Sequence, residues 1–182
     1  SGLAKIAALA QRFDDAQEQL GRAEAIIARA SRLAPYYMGA YRTSRLLVDV
    51  LRMGNGRDAK RVKAARKSST LAIATAKRIA RERPESLRWS GRAMALSGKP
   101  ARALEFYGRA VDEAQKLGAI PELSRACAEL ASVVGEGAKY RELSAAQWRA
   151  RAVEGFVAIG LTREAEALGW ARAAEAALLG AE

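Results

Sequence analysis

The sequence predicts an all-α protein, an array of antiparallel helical hairpins that runs as a single domain through residues 1–182. Three observations predict it. Strand signals are almost absent, since no alternating run of β-branched and aromatic residues exceeds about four. Half of the residues are hydrophobic and only 6% are aromatic, with alanine carrying much of the apolar share, which suits helices packed at close range. Finally, a stripe of small residues returns at a near-constant interval. Its marker alanines stand at 16, 59, 103 and 145, spaced by 43, 44 and 42 residues, and periods of about 20–50 residues signal stacked units.

The segment from Ala95 to Glu122, ALSGKPARALEFYGRAVDEAQKLGAIPE, shows the unit most clearly. Ala103, Tyr107 and Ala110 fall at i, i+4 and i+7, one stripe of a helix. Gly98 ends the preceding helix and Pro100 suits the first turn of the next. Gln11–Ala23 repeats the stripe with Ala16, Leu20 and Ala23, and Tyr140–Ala152 with Ala145, Arg149 and Ala152. In Gly54–Arg66 only Ala59 keeps it, because Lys63 and Arg66 depart. Pro35, Pro84 and Pro121 each stand just ahead of the other helical run of a pair, where a missing N–H costs nothing. Glu85 and Glu122 follow two of them and suit the positive end of the helix dipole. Thr162 is expected to cap the last helix. The map is therefore a short helix at 3–11 and a second at 14–33. Hairpins follow at 36–53 with 57–82, 85–97 with 100–117, and 122–134 with 139–159, before a final helix at 162–179.

SLRWSGRAMALSGKPARALEFYGRAVDEA resembles the tetratricopeptide repeat, with Leu87, Gly91, Met94, Gly98, Ala103, Tyr107 and Ala110 at the signature places. The resemblance implies a tetratricopeptide-like right-handed superhelix, here with longer units than the family's own. LEFYGRAVDEAQKLGAIPELSRACAELA is similar to the helical regions at the C-terminal end of multidomain bacterial signalling proteins of the kinase, ATPase or nucleotide-cyclase type. It implies a protein-interaction or regulatory scaffold with no catalysis of its own, whose partner is a protein segment or a neighbouring domain of the same chain. The first helix of each pair lines the concave face in this family. Carried over, that face holds Glu85, Arg88 and Arg92, then Glu122, Arg125 and Glu129, with Tyr37 and Tyr41 on the earlier pair. Tyrosine and arginine are enriched where partners bind, because each joins contact area to directional polar groups.

The chain carries a net charge of +11. Residues 57–83 hold ten basic residues against Asp58 and Glu82, so this one stretch supplies most of the excess. On a helical wheel Val62, Ala65, Ser69, Ala72, Ile73, Ala76 and Ala80 share one side. Lys60, Lys63, Lys67, Arg78 and Arg81 gather opposite as a basic stripe. Such a stripe offers the alternative function, a nucleic-acid-binding transcriptional regulator. No aromatic residue interleaves with the charges for base stacking, so a solvated face is the plainer expectation.

Other classes are excluded on composition. Histidine is absent, which removes imidazole bases, His-dependent nucleophile sets and His-based zinc sites. Gly54-Asn55-Gly56 and Gly135-Glu136-Gly137 lack the Gly-Lys-Ser/Thr that cradles phosphates and read as turns between helices. No catalytic, cofactor-binding or metal-ligating residue is nominated, and none of those ligands is expected. Trp89, Trp148 and Trp170 read as packing residues, and the single cysteine, Cys127, as a small core residue. Ser69, inside Arg66–Thr70, suits a basophilic kinase by sequence but falls on the inward side. No apolar run spans a bilayer, and the start lacks the pattern of a secretory leader, so a cytoplasmic location is expected. Ser1-Gly2 reads as a tag remnant, so the chain is expected to be a piece of a longer protein.

Overall fold

The computed structural model describes residues 1–30 and 34–169, and within them the fold is all-α. Its helices are α1 (Gly2–Leu9), α2 (Phe13–Arg29), α3 (Pro35–Arg52), α4 (Ala59–Ala76), α5 (Arg83–Leu96), α6 (Pro100–Lys116), α7 (Ile120–Val133), α8 (Ala145–Ala158) and α9 (Thr162–Ala167). A 3-10 turn, Ala80–Glu82, precedes α5. Two short strands, β1 (Lys139–Tyr140) and β2 (Leu143–Ser144), pair antiparallel ahead of α8. The expected 162–179 helix instead ends at Ala167, because the chain turns at Leu168 and at Gly169, whose φ is 89°, and Trp170 with the remainder lies outside the described residues.

Helix starts follow local chemistry. Proline sits in the first turn of α3, α5, α6 and α7, where its ring costs no intrahelical bond. Asp58 caps α4 by accepting from the backbone N–H groups of Lys60 and Arg61, donors that hold its carboxyl below the usual range. Ser144 and Gln147 form a capping box at α8, worth about 1 kcal/mol. Thr162 does not cap α9; the cap position is Leu161, which makes no side-chain bond.

Consecutive helices pack pairwise, α1 on α2, α3 on α4, α5 on α6 and α7 on α8, while α1, α3, α5 and α7 also touch in succession. The connections are short, so each pair doubles back on itself. Ala16, Ala103 and Ala110 are fully buried, and their lack of side-chain bulk lets neighbouring backbones approach. Tyr107 fills the space beside them and is itself fully buried. Its ring packs against Gly91, where a Cβ would come within 2.6 Å of two ring carbons.

The stripe fails in the other two copies. Ala59 is exposed at the start of α4, and in α8 the buried residues are Trp148, Ala152 and Phe156, with Arg149 exposed and Ala145 half-buried. The register is set by the large aromatics, whose burial outweighs that of an alanine. Two expected helix bounds also shift. The run 57–82 stops at Ala76, where the backbone tightens into a turn with Ile79 N–H on the Ala76 carbonyl (3.1 Å), and Arg83 donates from Nε to the same carbonyl (3.1 Å) and from Nη2 to that of Lys77 (2.9 Å). Ala80, past this end, is exposed rather than inward. The stretch 139–144 is the strand pair, turning at Arg141 (φ 49°) and Glu142 (φ 64°), so α8 begins six residues later than the expected 139.

Candidate functional site

On α5, residues 85, 88 and 92 share one face, and on α7 residues 122, 125 and 129 do so at the same spacing. The packing of α5 on α7 brings Arg88, Arg92, Arg125, Glu122 and Glu129 into one cluster. Arg88 donates from Nε to Glu122 Oε2 (3.1 Å) and stands 3.8 Å from Glu129 Oε1. Arg92 reaches Glu129 Oε1 at 2.9 Å, and Arg125 reaches Glu122 Oε1 at 2.6 Å. Tyr107 donates its hydroxyl to Glu129 Oε2 at 3.0 Å. The Arg88 guanidinium also lies over the Trp89 ring, 4.8 Å from its centre.

The electrostatics follow from this packing. Burial works to raise the Glu122 carboxyl, but Arg88 and Arg125 together outweigh it and hold that group below the usual range. Burial, and then Glu129, pushes the Tyr107 hydroxyl far up. The inner members are structural, since Arg88 is buried at 7% exposure and its partners lie on the next helix. The outer arginines differ: the side chains of Arg92 and Arg125 are 43% and 38% exposed. They stand at the edge of a 260 Å³ depression with Ala128, Ser132 and Phe156.

The other expected members are elsewhere. Glu85 is bound by Lys5 of α1 at 2.6 Å. Tyr37 is exposed and packs edge-on against Tyr36. Tyr41 belongs to a second polar group: it donates to Glu24, and Arg45 donates to Glu24 (2.8 Å) and to Asp49 (3.1 Å). Ser68 closes that group with a 2.5 Å bond to Asp49. Burial, then Glu24, pushes the Tyr41 hydroxyl up to about 12.

The basic stripe does not form one helical face. Lys60, Lys63 and Lys67 are exposed along α4, but the helix ends before the other two. Arg78 lies in the turn that follows, and Arg81 covers the Tyr36 ring at 4.5 Å. Ser69 points inward, as expected, and bonds the Ser90 hydroxyl at 2.7 Å. Trp89 and Trp148 pack as expected, at 5% and 2% exposure. Cys127 is buried, and burial pushes its thiol up to about 11, which leaves it a poor nucleophile.

Sequence reasoning missed a different arrangement. Arg66, Lys77, Lys99, Arg102 and Arg109 surround a 510 Å³ groove between α4 and α6. Its signal was present, since Arg102, Phe106 and Arg109 repeat at i, i+4 and i+7, one position away from the buried alanine stripe.

Among the described residues no three His, Cys, Asp or Glu are grouped to hold a metal ion, and no helix is long and apolar enough to cross a membrane. Compared with protein-family models, curated proteins and solved structures, the chain matches none.

Proposed function

We propose that the protein is a non-catalytic interaction module, a tetratricopeptide-like scaffold within a larger signalling chain, that holds a protein segment against the α5–α7 face. The observation that carries this reading is the charge of the cluster. Three guanidinium groups share two carboxylates, and the two half-exposed arginines border a depression with the apolar Phe156 at its side. One further carboxylate, supplied by a partner, completes the pairing. Each half-exposed ion pair is worth only about 0.2–1 kcal/mol, so the partner segment must add apolar contact to bind. The succession of α1, α3, α5 and α7 along the molecule supports the scaffold reading, because it sets such faces side by side.

The test is a photo-crosslinking amino acid at the exposed Ser132, in the full-length chain in its native cells, with the crosslinked peptide identified by mass spectrometry. Adducts are expected on a protein segment bearing a carboxylate near an apolar residue. They should be lost with Arg92→Ala combined with Arg125→Ala, and kept with Lys60→Glu combined with Lys63→Glu. Adducts confined to nucleic acid, or unchanged by the arginine pair, refute the reading. Arg88 is left intact, since reversing a charge at 7% exposure threatens the fold itself.

A further inference from the structure

The groove between α4 and α6 has two properties that a solvated face lacks. The first is uncompensated charge. Among the described residues, none of Arg66, Lys77, Lys99, Arg102 and Arg109 has a carboxylate within 4.0 Å. Of the acids of α6, Asp112 is engaged by Arg141 and Glu113 by Arg83 and Lys116, and Glu105, between Arg102 and Arg109 on the helix, is exposed and makes no ion pair within 4.0 Å among the described residues. The second is an apolar floor. Met94 of α5 lies at the bottom, with Ile73 of α4 and Phe106 of α6 half-buried on the walls. Arg109 lies over the Phe106 ring, 5.8 Å from its centre.

We propose that this groove is a second docking site, and that its occupant is an acidic amphipathic segment of a protein. The complementarity decides the class. Five cations with no ion pair among the described residues attract carboxylates or phosphates alike. The half-buried Ile73 and Phe106 are matched by an apolar side chain, which a phosphate backbone does not carry. A nucleic acid needs stacked aromatic rings to use such a floor, and the groove offers one. The dimensions fit: Arg66 and Lys77 stand about 16 Å apart along α4, roughly three turns of a bound helix. The site is independent of the α5–α7 cluster and stands whether or not that face binds a partner.

The experiment is fluorescence anisotropy with the intact protein and a fluorescein-labelled helical peptide of about four turns, glutamates on one face and leucines on the other. Two comparison probes are used: the same peptide with every leucine changed to serine, and a single-stranded oligothymidylate of similar length. The leucine peptide should bind, with affinity falling about tenfold or more on raising salt to about 0.5 M. The serine peptide should bind at least about tenfold more weakly. Arg102→Glu combined with Arg109→Glu should weaken the leucine peptide about tenfold or more, and Phe106→Ser should do likewise. Lys60→Glu combined with Lys63→Glu changes net charge equally on the same helix pair and should stay within about twofold. Circular dichroism confirms that each variant is folded, and the two exposed arginines keep the test open if Phe106→Ser is not. The proposal is overturned if the leucine peptide fails to bind or if both peptides bind equally. It also falls if the lysine pair matters as much as the arginine pair, or if the oligothymidylate binds more tightly and is lost with the groove variants.

Discussion

Gly91→Ala separates two opposing effects. Alanine favours a helix interior over glycine by about 1 kcal/mol, so at an open position on α5 the change would stabilise. At this position the new Cβ meets Tyr107 Cδ1 and Cε1 at 2.6 Å and Cζ at 3.1 Å. The ring must retreat by about an ångström to restore ordinary contact. It has little room to do so, because it is fully buried and its hydroxyl is tied to Glu129 at 3.0 Å. Overpacking of this kind costs about 1–3 kcal/mol, and a weakened bond to a charged acceptor adds up to about another 1.5–3 kcal/mol. At the middle of these ranges packing wins, and the net loss is about 2 kcal/mol. For a chain of this size that lowers the melting temperature by about 4–8 °C. Thermal and urea unfolding followed by circular dichroism measure it, and a Tyr107→Leu background isolates the cause. With the ring gone, Gly91→Ala should become neutral or stabilising, a coupling of about 1–3 kcal/mol. A raised melting temperature in the native background, or the same cost in both, refutes the contact as the reason for glycine.

Ala103 is fully buried, so Ala103→Leu should destabilise by about 1–3 kcal/mol, whereas half-buried Ala145 should accept Leu within about 0.5 kcal/mol; urea midpoints compare the two. The pH dependence has two limbs. The Glu122 and Asp112 carboxyls are held below their ordinary values, so their contribution is present above about pH 4 and is lost as pH falls through the folded values. Cys127 and Tyr41 are raised to about 11 and about 12, so their contribution holds below about pH 8.5–10 and fades as pH rises toward those values. Melting temperature against pH should form a plateau with both limbs, the acid one shallower in Glu122→Gln. A melting temperature flat down to about pH 3 would contradict the acid assignment.

What the sequence revealed and what it concealed divide along a physical line. Local signals were legible: the prolines mark the starts of α3, α5, α6 and α7, and the alanine–tyrosine stripe marks the buried side of α6. The end of α4 was not, because it involves the Arg83 side chain, seven residues past Ala76, which donates to the Ala76 and Lys77 carbonyls, while the Ile79 N–H reaches back to Ala76 as well. The strand pair at 139–144 was hidden for a similar reason. A two-residue turn with both residues at positive φ ordinarily wants Asn-Gly, and here Arg-Glu occupies it. In the α5–α7 cluster, the positions carried over from the repeat resemblance, Arg88, Arg92, Arg125 and Glu129, stand together in the structure, but the sequence could not show that they would pair with one another. The groove of α4 and α6 depended on which neighbours remain unpaired, a property of three helices together.

That turn has a consequence for how the molecule holds itself. Each of Arg141 and Glu142 costs about 1–2 kcal/mol in its left-handed backbone conformation. The compensation comes from Asp112 of α6, which accepts both guanidinium nitrogens of Arg141 at 2.6 and 2.9 Å, and from Trp148 Nε1, which donates to the Tyr140 carbonyl at 3.2 Å. The turn is thus tied to α6 through the Arg141–Asp112 pair and to α8 through Trp148. It reaches past α7, so the start of α8 senses α6 without the helix between them as messenger. Loss of order in α6 would undo that tie and loosen the first turn of α8 at the same moment, which couples two helices separated in the chain into one cooperative unit.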